Sequence, residues 1–388
     1  MAVALSRVLV LAGAIVGATL THRVGHWQLA DPGHLTMKLG SLGNVLASAG
    51  VRWDSVHYLT IAEHGYNTAS NTVFFPLYPL LIKVVTWVTS SYVISGLLVS
   101  VGSFAVSLLL LHRLVREELG DRAADATVLL LAFSPLSLFF TAIYTESLFL
   151  SLCLGAFLLA RRGRWGWAGI AASAATLTHI EGVLLIAPLA IFYWQDQRAA
   201  FRPGRAAARR ATVGALPLLI PMLALAGFLV YLHSRGYGWL APSSNERYYT
   251  RHFVGPVLGV VQGVSAGIGG LAHMLAGGGS SGARDDAFQN VVYLAVLAIC
   301  LATLALAWRC LPKAYSVFSA LCLLICVSSP VTGAPLNSLD RFVLVLFPLW
   351  MVAGKWLDEH RRLGAVLTGS GALLFVFALQ FARWAFIG

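Results

Sequence analysis

Arg52-Trp53-Asp54-Ser55-Val56-His57-Tyr58, then Ile61-Ala62-Glu63-His64-Gly65-Tyr66, then Phe74-Phe75-Pro76-Leu77-Tyr78-Pro79-Leu80-Leu81 form a dense run of acids, histidines and aromatics. The rest of the chain has few polar groups, so the fold turns on where this run lies relative to a membrane. Of 388 residues 58% are hydrophobic and 11% charged, against about 25% charged in soluble domains. No long polar segment remains to build a soluble domain, so residues 1–388 read as a single integral membrane unit. The +11 formal charge follows from basic cytoplasmic loops, and no nucleic-acid partner is expected. The five cysteines lie in or beside apolar runs and imply no disulfide framework.

Apolar runs at 7–22, 91–111, 127–141, 145–160, 166–178, 180–194, 212–233, 290–308, 313–329, 342–354 and 363–382 predict an all-α, polytopic protein of about 11 transmembrane helices. Several runs are shorter than the ~20 residues of a spanning helix. They must therefore extend into polar neighbours or be broken. The first run reads as a retained signal anchor. With the N-terminus inside, the inner segments hold Arg7, Arg113, Arg116, Arg122, Arg161, Arg162, Arg164, Arg198, Arg202, Arg205, Arg209, Arg210, Arg309, Lys313, Lys355, Arg361 and Arg362. These are 17 of the 27 basic residues, which fixes the orientation. Residues 256–276 are apolar and Gly-rich, and read as an interfacial or re-entrant segment within an outer loop, 234–289. No internal repeat is visible. Asp54, Glu63, Glu146, Glu181, Glu246, Asp285, Asp286 and Asp340 all fall on the outer side. The outer loops 23–90 and 234–289 are too long to be structureless, so both should carry interfacial helices.

A helix over 53–64, stopped by Gly65, puts Asp54, His57 and Tyr58 on one face at i, i+3, i+4. Pro76 and Pro79 suit the first turn of the next helix. An amphipathic interfacial helix with aromatic anchors would explain the same pattern. Asp54, His57, Glu63 and His64 match no metal-ligand spacing, so no metal is expected. Glu146 in Tyr144-Thr145-Glu146-Ser147 and Glu181 in Thr178-His179-Ile180-Glu181-Gly182 occupy consecutive outer turns, where hydration would lower the cost of charge. Asp340-Arg341 opens the late apolar run.

Taken together, the blocks from Arg52 to Tyr66 and from Phe74 to Leu81 resemble the signature of the GPI mannosyltransferase II (PIG-V) family, bacterial members included. Tyr144-Thr-Glu-Ser-Leu-Phe149 and Ser338-x-x-Arg341-Phe342 with Phe347-Pro348 are similar to later blocks of that family, in the right order. The chain departs from the pattern at His179 and Glu181, where the family has Arg and a small or amide residue, and at Tyr248-Tyr249, where Trp is expected. Both departures bear on the acceptor more than on the reaction.

The resemblance implies a GT-C-like enzyme that takes a sugar from a polyprenyl-phosphate donor on the extracytoplasmic face. It places the base on a first-outer-loop carboxylate, here Asp54. A donor already activated by its phosphate needs no nucleotide fold. The acceptor hydroxyl must lose a proton as it attacks, which calls for one positioned carboxylate. The leaving phosphate calls for cations: Arg341 first, then Arg247, Arg52 and His57. Trp53, Tyr58, Tyr78 and Tyr144 could stack on sugars or line a lipid entrance, and Glu146, His179 and Glu181 complete the expected substrate-binding set.

The expected function is inverting transfer of mannose from polyprenyl-phosphate mannose to an outward-facing glycolipid or glycan. The lipid-linked donor is a co-substrate, and no cofactor is called for. The length, without large added loops, points to a bacterial plasma membrane. The alternatives are a transferase for another lipid-linked sugar, a transporter or flippase for one, or a non-catalytic lipid-binding scaffold. A transporter would gather its polar groups near the membrane midplane, whereas here they collect at one face.

Overall fold

The computed structural model describes residues 1–22, 27–198, 213–276 and 281–387, and these are mostly helical, with no strand among them beyond the isolated bridges Arg251–Val331 and Val331–Ala334. Among the described residues, six helices are long and apolar enough to cross a membrane: Ala2–Leu20, Tyr92–Leu119, Val213–Ser234, Pro256–Ala276, Gly282–Cys310 and Leu363–Ala382. The remaining expected spans are shorter helices: Asp121–Ala132, Glu146–Arg161, Trp165–Thr176, Ile186–Gln197, Lys313–Ser328 and Phe347–Glu359. Each breaks near the same end of the bundle.

The expected run 127–141 shows why. Pro135 cannot extend the helix that precedes it, so Asp121–Ala132 stops and a 3-10 turn, Ser137–Phe140, follows. The freed carbonyls need donors inside the bundle. Arg7 supplies them, donating to Ser137 O (2.7 Å), Ser137 Oγ (2.8 Å), Thr141 Oγ1 (2.8 Å) and Ala132 O (3.4 Å), over the face of Phe104. Arg7 is therefore not an inner-loop charge, as its place before the first apolar run suggested. It is an internal brace in the helix Ala2–Leu20. Of the other inner basic residues, Arg202, Arg205, Arg209 and Arg210 lie outside the described residues.

The two ends of the bundle differ in chemistry. At one end Arg161 meets Glu118 (2.8 Å), Arg162 meets Glu117 (2.9 Å), and Tyr315 donates to Glu118 (2.9 Å). Helix ends bearing Arg116, Arg309 and Lys313 close the same end. At the other end the two long outer loops fold together. The first forms helices Gly40–Ala47, Ser55–His64 and Leu77–Thr89. It is tied to the second by Asn245 donating to Thr72 (2.9 Å) and Tyr237 donating to Tyr66 O (3.2 Å).

Pro256–Ala276 is a continuous 21-residue helix, not a re-entrant loop. Gly259, Gly263, Gly267 and Gly270 are buried along one face and let neighbouring backbones approach closely. Gly270 lies against Ala287, Gly267 against Leu294 and Gly259 against Val327, so the helix runs antiparallel to Ser281–Cys310. That neighbour ends beside Lys313, at the basic end. A Cβ at Gly259 would collide with the Val327 carbonyl oxygen, whereas one at Gly269 would meet nothing within 4 Å. Gly259→Ala should cost about 1–3 kcal/mol in thermal unfolding, while Gly269→Ala should cost nothing.

Candidate active site

Asp54 starts the helix Ser55–His64, after a backbone turn in which Trp53 takes φ 55°, a left-handed conformation that costs a bulky residue energy. Neighbours hold that turn. Trp53 Nε1 donates to Ala385 O (3.2 Å), and its ring packs edge-on against Trp384 and Phe386. Arg52 Nε donates to Ala382 O (3.0 Å), with the guanidinium over Trp384. The Asp54 N–H donates to Tyr144 Oη (3.2 Å). The carboxylate faces a cavity of about 420 Å³ at the end of the bundle opposite the basic cluster.

Arg341 organises the cavity. Its Nη1 donates to Asp54 Oδ2 (2.8 Å), and its Nε lies 3.3 Å from Glu146 Oε1. One guanidinium is thus shared by two carboxylates, inside an aromatic collar of Phe139, Tyr144 and Phe342. Burial opposes its charge, yet Asp54 and Glu146 raise its pKa above the usual arginine value. Glu146 reaches the cavity because the break after Ala132 delays the next helix until that residue. Tyr58 Oη pairs with Thr145 Oγ1 (3.4 Å), and the Tyr58 ring packs edge-on against Phe74.

On the opposite wall, His179 Nδ1 contacts Glu181 Oε2 in the turn before the 3-10 segment Ile180–Leu185. Gly182 follows because a Cβ there would strike the backbone of Thr176. Burial, reinforced by Arg341, pushes His179 down to about 4.

The structure brings Asp54, Tyr58, Tyr144, Glu146, His179, Glu181 and Arg341 to one cavity. It places the other expected site residues elsewhere. Tyr78 is fully buried and pairs with the Ser100 hydroxyl (2.6 Å), a scaffold contact. Arg52 and Trp53 serve the turn described above, and neither lines the cavity. Arg247 is exposed and stacks over Tyr248. His57 stands one layer back, stacked on Phe74, donating to Asn71 Oδ1 (2.9 Å) and meeting Tyr249 Oη (3.3 Å).

Arg251 was not expected. It lines the cavity with Nη1 donated to Ser329 O (3.0 Å) and Nη2 to Asn337 O (2.9 Å). It sits one turn beyond Arg247 in a loop of irregular pattern, and no periodicity there distinguishes the two arginines. Phe386 also lines the cavity, close to the end of the described chain and with no motif around it.

The fold is that of the GT-C membrane glycosyltransferases. The chain superimposes on the crystal structure of ArnT from Cupriavidus metallidurans bound to undecaprenyl phosphate with a TM-score of 0.50 and 17% identity, over 95% of this chain and 62% of that one. More particularly, residues 7–225 match the family model of the mannosyltransferase (PIG-V), and the chain belongs to that family. Among curated relatives it is 37% identical over 130 residues to GPI alpha-1,6-mannosyltransferase 2 of Rattus norvegicus, covering 30% of this chain and 26% of that protein. It is 34% identical over 123 residues to the Homo sapiens protein of that name, covering 29% and 25%. The matched stretch thus spans about a quarter of those relatives' length.

Proposed function

We propose that the protein moves mannose from polyprenyl-phosphate mannose to a glycolipid or glycan acceptor, with inversion, on the extracytoplasmic face of a bacterial plasma membrane. The observation that carries the reading is the Asp54–Arg341–Glu146 constellation facing a cavity of about 420 Å³. Family membership and the undecaprenyl phosphate bound by ArnT support the choice of donor. The basic cluster at the opposite end supports the orientation.

Asp54 takes the proton of the acceptor hydroxyl as its oxygen attacks the anomeric carbon, and the bond from that carbon to the phosphate oxygen breaks. The lipid phosphate leaves with an additional negative charge, which Arg341 and Arg251 meet from fixed positions. A single displacement turns a β-linked donor into an α-mannoside. α-Mannosidase should therefore release label from the product, and release by β-mannosidase instead would refute inversion.

A monophosphate-linked donor has no diphosphate for a divalent ion to neutralise, so we propose that no metal cofactor takes part. Activity should be unchanged in a strong chelator. Loss that Mg2+ or Mn2+ restores would overturn this part of the proposal.

A further inference from the structure

Beyond Glu146 the main cavity continues into a narrow lobe. About 20 Å³ of it is open to the centre of a water-sized group. Such a volume admits roughly one hydroxyl-sized group, and a whole sugar ring does not fit. The far walls, Phe149, Val345, Leu346 and Cys322, leave no room for a bulkier substituent, while Glu146, His179 and Phe342 border both the lobe and the main cavity. A group seated in the lobe is therefore attached to something held in the main cavity.

One buried polar atom on the residues lining the lobe has no hydrogen-bond partner among the described residues: Glu146 Oε2. Glu146 is 6% exposed. The 3.3 Å approach of Arg341 Nε to Glu146 Oε1 is an ion pair in which the N–H does not make a hydrogen bond. A carboxylate oxygen is an acceptor, and buried groups of this kind are seldom left unpaired. A hydroxyl satisfies it by donating to the carboxylate.

We propose that this lobe is a specificity pocket for one hydroxyl or hydroxymethyl group of the transferred hexose, read by Glu146 Oε2. The inference rests on the lipid-linked mannosyl donor proposed above. Because Glu146 and Asp54 share Arg341, a sugar anchored on Glu146 is held beside the guanidinium that holds the base. A site built around a hydrogen-bonded hydroxyl rejects analogues lacking it far more strongly than an apolar pocket rejects a missing methylene.

The test reads binding, so it does not depend on turnover. The protein is equilibrated in acceptor-free nanodiscs with polyprenyl-phosphate mannose, with bare polyprenyl phosphate, and with donors whose mannose lacks one hydroxyl at a time. The expected result is tighter binding of the mannosylated lipid than of the bare one, by 10-fold or more. Removal of one particular hydroxyl should abolish that margin, and Glu146→Ala should abolish it too. The bare lipid should still bind, which reports an intact cavity. Glu146→Gln, equal in size and still offering a carbonyl acceptor, should keep part of the margin. No margin between the two lipids, equal binding of every deoxy donor, or a margin that survives Glu146→Ala would each overturn the lobe as a hydroxyl pocket, leaving the donor reading intact. If neither lipid binds, the donor reading fails and the pocket fails with it.

Discussion

Asp54→Asn should bind the lipid donor as the wild type does and transfer sugar about 100- to 10,000-fold more slowly, the usual contribution of a positioned general base. The substitution keeps the shape of the side chain. Its amide oxygen can still accept from Arg341 Nη1, which now donates to Asp54 Oδ2 at 2.8 Å. The backbone N–H that donates to Tyr144 Oη is untouched. Glu146 remains beside Arg341, so the buried guanidinium keeps a counter-charge and the fold should not suffer. What is lost is a group able to take the acceptor's proton. Single-turnover transfer and thermal unfolding of the same preparation separate the two effects. Full transfer by the Asn variant would remove Asp54 as the base.

Arg341→Gln should do the reverse as well as stop transfer, because it damages the fold. Its guanidinium is 15% exposed and serves Glu146, 7% exposed, and Asp54, 29% exposed. No other Lys or Arg among the described residues forms an ion pair with either acid. Removing one partner of a buried pair costs about 3–5 kcal/mol, and the partial exposure of Asp54 should put this case at the lower end. Adding Glu146→Gln removes the more deeply buried of the two stranded charges. The double variant should regain part of the stability, with a coupling of about 0.5–3 kcal/mol, and should stay inactive. Two losses that simply add, measured by denaturation in the same detergent, would mean that the three side chains do not act as one unit.

Much of this site was legible because its residues sit in local signals. Asp54 and Tyr58 share a helical face that the i, i+4 spacing discloses, and Gly65, with φ 74°, stops that helix where expected. Glu146 and Glu181 stood out as acids at the ends of apolar runs. Tertiary geometry was less visible. A buried Tyr78 and a cavity-lining Tyr58 look alike in a row of aromatics, and only packing against Ser100 separates them. Arg247 and Arg251 lie one turn apart, and what selects Arg251 is a pair of carbonyls, on Ser329 and Asn337, 78 and 86 residues away in the chain. Arg7 read as a topology signal because an arginine before an apolar run usually is one. Here the break at Pro135 needs donors, and that need draws the side chain into the bundle.

The central claim is transfer of mannose from a polyprenyl phosphate, and purified protein in liposomes tests it most directly. The vesicles hold lipid extract from the producing cell and receive polyprenyl-phosphate mannose labelled in the sugar, with the same lipid carrying glucose or a pentose run alongside. Label should pass from the mannosyl donor into a new glycolipid or glycan, while the other sugars stay on their carrier. Transfer of glucose or pentose in place of mannose would contradict the sugar assigned. Donor that binds, or crosses the bilayer, without ever losing its sugar would contradict transfer itself.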